Sequence, residues 1–295
     1  MPTTEGKLGA RNRFASSILA VGGFLVAWHL VSIVVFSRAS VFPSPVQVAT
    51  AWWNMSRSGE LWRDIASSLV RICVGFMIAF VAAVVLGYTA VILQRVYSSL
   101  KVVMDLLSSI PPIAWTPLSI LWFGIGNAPA YFIVFLGTFF PMFTSIYSGV
   151  KGVERDWIDA AKTLGASSRM IARKVVLPAS IPQVLTGITA GVGVGWFNVI
   201  AAELIGVQSG LGYRLQLNRF LLASDNVIAL MLTIGALGFC MVRIVSATGK
   251  LLAPWAIQDE SRPEWLRRRR ILVSYLRHRG LYLRRSNNAE SLFVG

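Results

Sequence analysis

Long apolar runs separated by short polar stretches dominate the chain. Ile18 to Phe36 and Ile72 to Leu93 each supply the run of about 20 apolar residues with which a helix, rising about 1.5 Å per residue, crosses about 30 Å of hydrocarbon. From Leu106 to Val150 there is no Asp, Glu, Lys or Arg. That stretch is too long for one span, and the turn-forming run Gly124-Ile125-Gly126-Asn127-Ala128-Pro129 divides it in two. A fifth run extends from Gln183 to Gly206 and contains Glu203; a sixth, from Asn226 to Ala247, contains Arg243. The pattern predicts an all-α membrane protein with six transmembrane helices.

Six spans place both termini on one side, and the distribution of Lys and Arg says which side is cytoplasmic. With the termini inside, the inner segments hold three basic residues before residue 18, two in 94–101, six in 151–182 and ten from 249 onward. The outer segments hold three in 38–66 and two in 207–222, so the bias is 21 against 5, and 11 against 5 without the tail. The predicted organisation is a cytoplasmic N-terminal segment 1–17, a transmembrane domain 18–248 with an inner loop at 151–182, and a basic cytoplasmic tail 249–295. Lys7, Arg11 and Arg13 precede the first apolar run as they would in a signal peptide. That run is longer than a signal core and no small-x-small site closes it, so it is expected to be a retained span.

Composition supports the lipid setting. Hydrophobic residues make up 55% of the chain and charged residues 14%, with a mean hydropathy of +0.63; soluble domains carry about 25% charged residues. The net charge of +15 does not point to nucleic acid, because the basic residues lie between and after the apolar runs. Cys73 and Cys240 fall inside apolar runs without metal-ligand spacing and are expected to pack among helices. No paired carboxylates, histidine cluster or Ser/His arrangement converges in the spans, so no catalytic, cofactor or metal site is predicted. A Walker A sequence is also missing: Gly249-Lys250 is followed by Leu251 and lacks the upstream glycine.

The inner loop carries the most specific signal, Asp159-Ala160-Ala161-Lys-Thr-Leu-Gly165, then nine residues, then Val175-Val-Leu177-Pro178. Trp157 to Leu164 can form an amphipathic helix, and Gly165 permits a reversal at positive φ. Ala166 to Val176 can form a second, basic helix, and Pro178 is expected to mark where the chain turns back into the membrane. Asp159 is placed either to meet a partner or to pair locally with Lys162.

This stretch resembles the EAA loop of ABC importer permeases, whose pattern is Glu-Ala-Ala, three residues, Gly, nine residues, Ile, any residue, Leu-Pro. All spacings agree; Asp159 and Val175 are conservative departures. Further likeness to the nitrate, sulfonate, taurine and bicarbonate branch lies in Phe42-Pro43-Ser44-Pro45, Ser68-Leu69-Val70-Arg71, Ile110-Pro111-Pro112-Ile113-Ala114-Trp115-Thr116-Pro117, Gly193-Val194-Gly195-Trp196, Ala201-Ala202-Glu203-Leu204-Ile205 and Gly210-Leu211-Gly212, over roughly residues 40–255.

The resemblance implies a type I importer fold in the bacterial inner membrane. A cytoplasmic helix-turn-helix would couple the spans to a separate ATP-binding subunit, with solute delivered by a periplasmic or lipid-anchored binding protein and a second permease copy completing the path. The cargo it implies is a small anion; an ion-gradient-driven secondary transporter is the alternative.

Within the spans, Pro111, Pro112 and Pro117 interrupt the third helix, as a break facing a central cavity or as a packing kink. Arg71 and Glu203 both lie near the outer side, where Arg71 either attracts an anionic solute or pairs with Glu203. Arg71, Pro111, Pro112, Trp115 and Glu203 are the candidate translocation-path residues. Gly187, Gly191 and Gly195 stack on one helix face, for packing inside the chain or between two copies. Arg243 is expected to snorkel to the interface and His29 to be a packed histidine. In the tail, Arg267 to Arg270 and the apolar residues after them suit a helix on the anionic inner leaflet.

Overall fold

The structure is a computed structural model and describes residues 19–20, 22–34 and 42–253. The expected N-terminal segment 1–17 and the tail beyond 253, with Arg267 to Arg270, lie outside the described residues. The chain divides into two units, Met1–Ser246 and Ala247–Gly295, the second described only over 247–253.

Every regular element among the described residues is helical. In order they are α1 (Gly22–Val34), α2 (Pro45–Arg57), α3 (Glu60–Ile92), α4 (Gln94–Ser108), a 3₁₀ turn (Pro112–Trp115), α5 (Thr116–Phe123), α6 (Asn127–Lys151), α7 (Arg155–Thr163), α8 (Ser168–Ile171), a π turn (Ala172–Val176), α9 (Leu177–Glu203), α10 (Leu211–Phe220) and α11 (Ser224–Leu252). Among the described residues, four helices are long and apolar enough to cross a membrane: α3, α6, the run Ser168–Glu203 and the run Ser224–Gly249. The bent pair formed by α4 with the 3₁₀ turn and α5 makes a fifth crossing when taken as one, and α1 is a shorter apolar helix.

Two expectations are corrected. Residues 60–66 and 94–101, assigned to loops, are helical: α3 starts at Glu60 directly after Gly59 turns the chain at φ +77°, and 94–101 belong to α4. The interruption expected in the third span is present: α4 ends at Ser108, and the helix that follows leaves at 86°. Ile110 and Pro111 each precede a proline, which disfavours helical backbone, and Pro112 lacks the N–H needed to continue. The hydroxyls of Ser108 and Ser109 donate to the Asp105 carbonyl at 2.8 Å, so local side chains serve the end of α4. The second correction is that Pro178 does not turn the chain back; Ser168–Glu203 is one continuous helix through it. The π turn just ahead inserts a residue into the ladder, and such a widened turn accommodates a ring that would otherwise meet the carbonyl four residues back.

The core is built on α3, α6 and α9. Gly75 lies against Val134 and Gly87 against Ile146, so α3 and α6 run parallel; Gly187 lies against Ser145 and Gly195 against Thr138, so α9 runs antiparallel to them. The Gly187, Gly191 and Gly195 face therefore packs within the chain, against α6. A methyl at 187 would sit 2.8 Å from the Ser145 Cβ, whereas one at Gly235 in α11 meets nothing within 4 Å. Gly187→Ala is expected to destabilise by about 1–3 kcal/mol through overpacking, and Gly235→Ala to stabilise by up to about 1 kcal/mol through helix propensity. Thermal unfolding in detergent should show shifts of opposite sign, and equal shifts would contradict this packing.

Cys73 and Cys240 are exposed rather than packed among helices. His29 is likewise exposed. Helix α1 turns Trp28 and Ser32 toward the chain, where they donate to the Pro43 carbonyl at 3.1 Å and the Phe42 carbonyl at 2.9 Å, and residue 29 falls off that face. Arg243 is exposed, its guanidinium 5.0 Å from the centre of the Phe239 ring.

Candidate functional site

Two constellations stand at opposite ends of the 36-residue helix Ser168–Glu203, which at 1.5 Å per residue is about 54 Å long. One is the hairpin of α7 and α8, which follows α6. Helix α7 ends at a Schellman turn: Gly165 N–H donates to the Lys162 carbonyl at 2.9 Å and Ala166 N–H to the Ala161 carbonyl at 3.0 Å, with Gly165 at φ +78°. Ser167 then caps α8, its hydroxyl accepting from the Met170 N–H. Asp159 accepts from the Lys162 ammonium at 2.9 Å, an exposed pair of little energetic weight. Ala160, Gly165 and Leu177 are exposed, while Ala161, Val175 and Pro178 are half-buried. Trp157 and Leu164 are 53% and 87% exposed, so the hairpin presents apolar surface outward. Isolated exposed apolar residues are common, but here they share one small projection.

At the other end, α3 contributes Asp64, Ser68 and Arg71, one face of a helix at spacings of four and three. Arg71 and Glu203 are 3% and 1% exposed and form an ion pair at 2.6 Å. The Arg71 guanidinium also donates to Asn127 Oδ1 at 2.9 Å, to the Ser209 carbonyl at 2.7 Å and to the Ser209 hydroxyl. Glu203 further accepts from the Ser68 hydroxyl at 2.8 Å and from Gly212 N–H at 2.9 Å. Leu211 N–H donates to Ser68 Oγ at 3.0 Å and Gly210 N–H to Asp64 Oδ1 at 2.9 Å, so the free N–H groups at the start of α10 are met by side chains of other helices. Arg214 closes the cluster through Asp64 at 2.7 Å and Glu60 at 3.0 Å. Gly210 sits at φ +103°, and a side chain there would run into both Glu203 and Arg71.

Of the two roles considered for Arg71, pairing with Glu203 is the one the geometry displays. Two guanidiniums face three carboxylates here, a balance that does not draw in an anion. One edge of Arg71 still borders a cavity of about 320 Å³ with Gly126, Asn127, Gln208 and Ser209. Pro111 is exposed and Pro112 half-buried at the break; the Trp115 ring is tilted against that of Trp122 and edge-on to that of Phe132, ring centres 6.5 and 6.4 Å away. Trp115 packs on the cluster of Ala130, Ile133, Ala202 and Val207, and Val207 also lines the Arg71 cavity, whose walls do not include Pro111 or Pro112. The sequence pattern singles out Arg71 and Glu203 but not Asp64, Ser68, Asn127, Ser209 or Arg214. The 64, 68, 71 stripe is the signal that could have found the first two.

A family of known membrane proteins matches residues 75–258, under the description binding-protein-dependent transport system inner membrane component. The chain belongs to that family. The permease is 32% identical to the taurine transport system permease protein TauC of Escherichia coli, over 81% of this chain and 89% of that one. It is 24% identical to the nitrate import permease protein NrtB of Synechococcus elongatus, over 82% and 90%. The methionine ABC transporter MetNI, solved in inward-facing conformations, superposes with a TM-score of 0.51 at 20% identity over 69% of the permease and 96% of that chain, a likeness of fold. The permease is thus a non-catalytic, multi-pass inner-membrane subunit of an ABC importer, working with an ATP-binding subunit and a solute-binding protein; the ion-gradient alternative is set aside.

Proposed function

We propose that the permease forms, as a pair of identical copies, the path for a small anion, and that its α7–α8 hairpin is the surface moved by the ATP-binding subunit. The observation that carries this reading is the exposed hairpin continuous with the helix that ends at Glu203. A push on α8 is transmitted along one rod, because a packed helix moves as a unit rather than deforming gradually. Asp159, Ala160, Ala161 and Gly165 shape the hairpin, and Val175, Leu177 and Pro178 join it to the rod. The anion class rests on what the relatives are named for: nitrate is an anion, and taurine, a zwitterion at neutral pH, presents a comparable oxyanion group in its sulfonate.

On this reading both termini and the hairpin face the cytoplasm, as the distribution of basic residues indicates. In a Cys73→Ser, Cys240→Ser background, Leu164→Cys should be labelled by a membrane-impermeant maleimide only from the side where ATP acts. Labelling from the opposite side would overturn the orientation and the coupling role with it. Reconstituted with its ATP-binding subunit and binding protein, the permease should accumulate nitrate, bicarbonate or a sulfonate such as taurine only with ATP; ATP-driven uptake confined to a solute without an anionic group would refute the assignment.

A further inference from the structure

Away from both constellations, α4 leaves an apolar groove against α3 and α6. Its volume is about 280 Å³, and Leu86, Leu93, Val96, Leu100, Met104 and Phe143 contribute to its walls, with Tyr97 at one side. Helix α4 buries none of its own residues, although Val96, Leu100, Val103 and Leu106 are each at least half exposed. In a bilayer this seam is not left void, since unfilled apolar space forfeits dispersion contacts along its whole lining.

The rim of the groove is basic. The Tyr97 ring lies 4.3 Å from that of Tyr147, and the Lys151 ammonium stands 5.5 Å from the centre of the Tyr147 ring. Lys101 follows the groove residue Leu100 and is within electrostatic reach of both tyrosines. Arg95, exposed, lies in the chain between the groove residues Leu93 and Val96. Against these three cations stands Asp105, bonded to Lys101 at 2.5 Å. An apolar helix from a second copy would fill the groove but leave the excess positive charge at its rim without a partner. A phospholipid supplies both an apolar chain and a phosphate in one molecule.

We propose that the groove is a binding site for an anionic phospholipid, one acyl chain lying between α3, α4 and α6 and its phosphate held at Lys101 and Lys151. The lipid then braces α4, the half of the broken helix that the protein itself holds least. This inference requires only that these helices lie in a bilayer and does not depend on the anion or the coupling reading.

The test is photo-crosslinking of the permease, purified with its ATP-binding subunit, in nanodiscs of equimolar phosphatidylglycerol and phosphatidylcholine. Leu100 is replaced by p-benzoylphenylalanine and the adducts are weighed by mass spectrometry. Phosphatidylglycerol adducts should exceed phosphatidylcholine adducts about fivefold or more, because both carry the phosphate but the choline ammonium cancels its charge and is repelled by the two lysines. The preference should fall to near parity in Lys101→Gln, Lys151→Gln, where both changes are on exposed side chains and the fold is retained. The same probe at Val81, exposed on α3 outside the groove, should show no preference. Equal capture of both lipids at Leu100, a preference unchanged in the double variant, or adducts joining two permease chains would each overturn the proposal.

Discussion

Glu203→Leu is expected to lower the stability of the permease by about 3–5 kcal/mol, the cost of leaving one member of a buried ion pair without the other. The Arg71 side chain is 4% exposed and that of Glu203 fully buried, so the lost carboxylate leaves a charge held largely inside protein. The Ser68 hydroxyl and the Gly212 N–H lose an acceptor in the same change. Each unmet donor adds its own desolvation cost, so the start of α10 should loosen along with Arg71. The double variant Arg71→Met, Glu203→Leu removes the charge as well as its partner and should recover much of the loss, giving strong non-additivity. Thermal unfolding in detergent, followed for both single variants and the double, measures this directly. A Glu203→Leu protein that melts with the wild type would show that the cluster does not hold α3, α9 and α10 together.

Gly165→Val should separate ATP hydrolysis from uptake. Gly165 sits at φ +78°, where a β-branched residue is disfavoured, yet nothing lies within 4 Å of the position its Cβ would take. The damage therefore comes from the turn itself: relaxing φ breaks the Schellman bonds to Ala161 and Lys162 and re-aims α7 against α8. The bundle is remote from the change, so the variant should insert and purify normally. Solute moved per ATP should fall about tenfold or more, within the range of typical coupling energies. Gly165→Asn, which tolerates the left-handed region, should restore most of the coupling. Paired measurements of uptake and hydrolysis in proteoliposomes decide it, and wild-type uptake in the valine variant would remove the hairpin from the coupling path.

The turn at Gly165 was legible because it is local. A short amphipathic helix and a glycine lie within a dozen residues, and each acts on its immediate neighbours, whereas the Ser167 cap, which starts the second helix at Ser168 rather than Ala166, came only from the structure. The break at Pro111 and Pro112 was legible for the same reason, though its 86° angle was not. The continuity through Pro178 was hidden, because a proline signals an ending in sequence while a π turn one step earlier can absorb it. The polar cluster was half visible. Asp64 and Ser68 share a helix face with Arg71 but precede the apolar run that starts at Ile72, and an apolar count alone leaves them outside the helix.

Composition and local spacing by themselves determined that this chain lives in lipid, is helical, and carries a turn-bearing hairpin between two apolar runs. Tertiary structure decided which charges meet, since Arg71 and Glu203 are 132 residues apart and either could have faced solute or lipid. It also decided that the glycines of α9 pack on α6 within the chain, and that Cys73, Cys240 and His29 face outward. The physical reason is one of range. Hydropathy and backbone preference act on a residue and its near neighbours, whereas pairing and close packing depend on which helix faces are brought together.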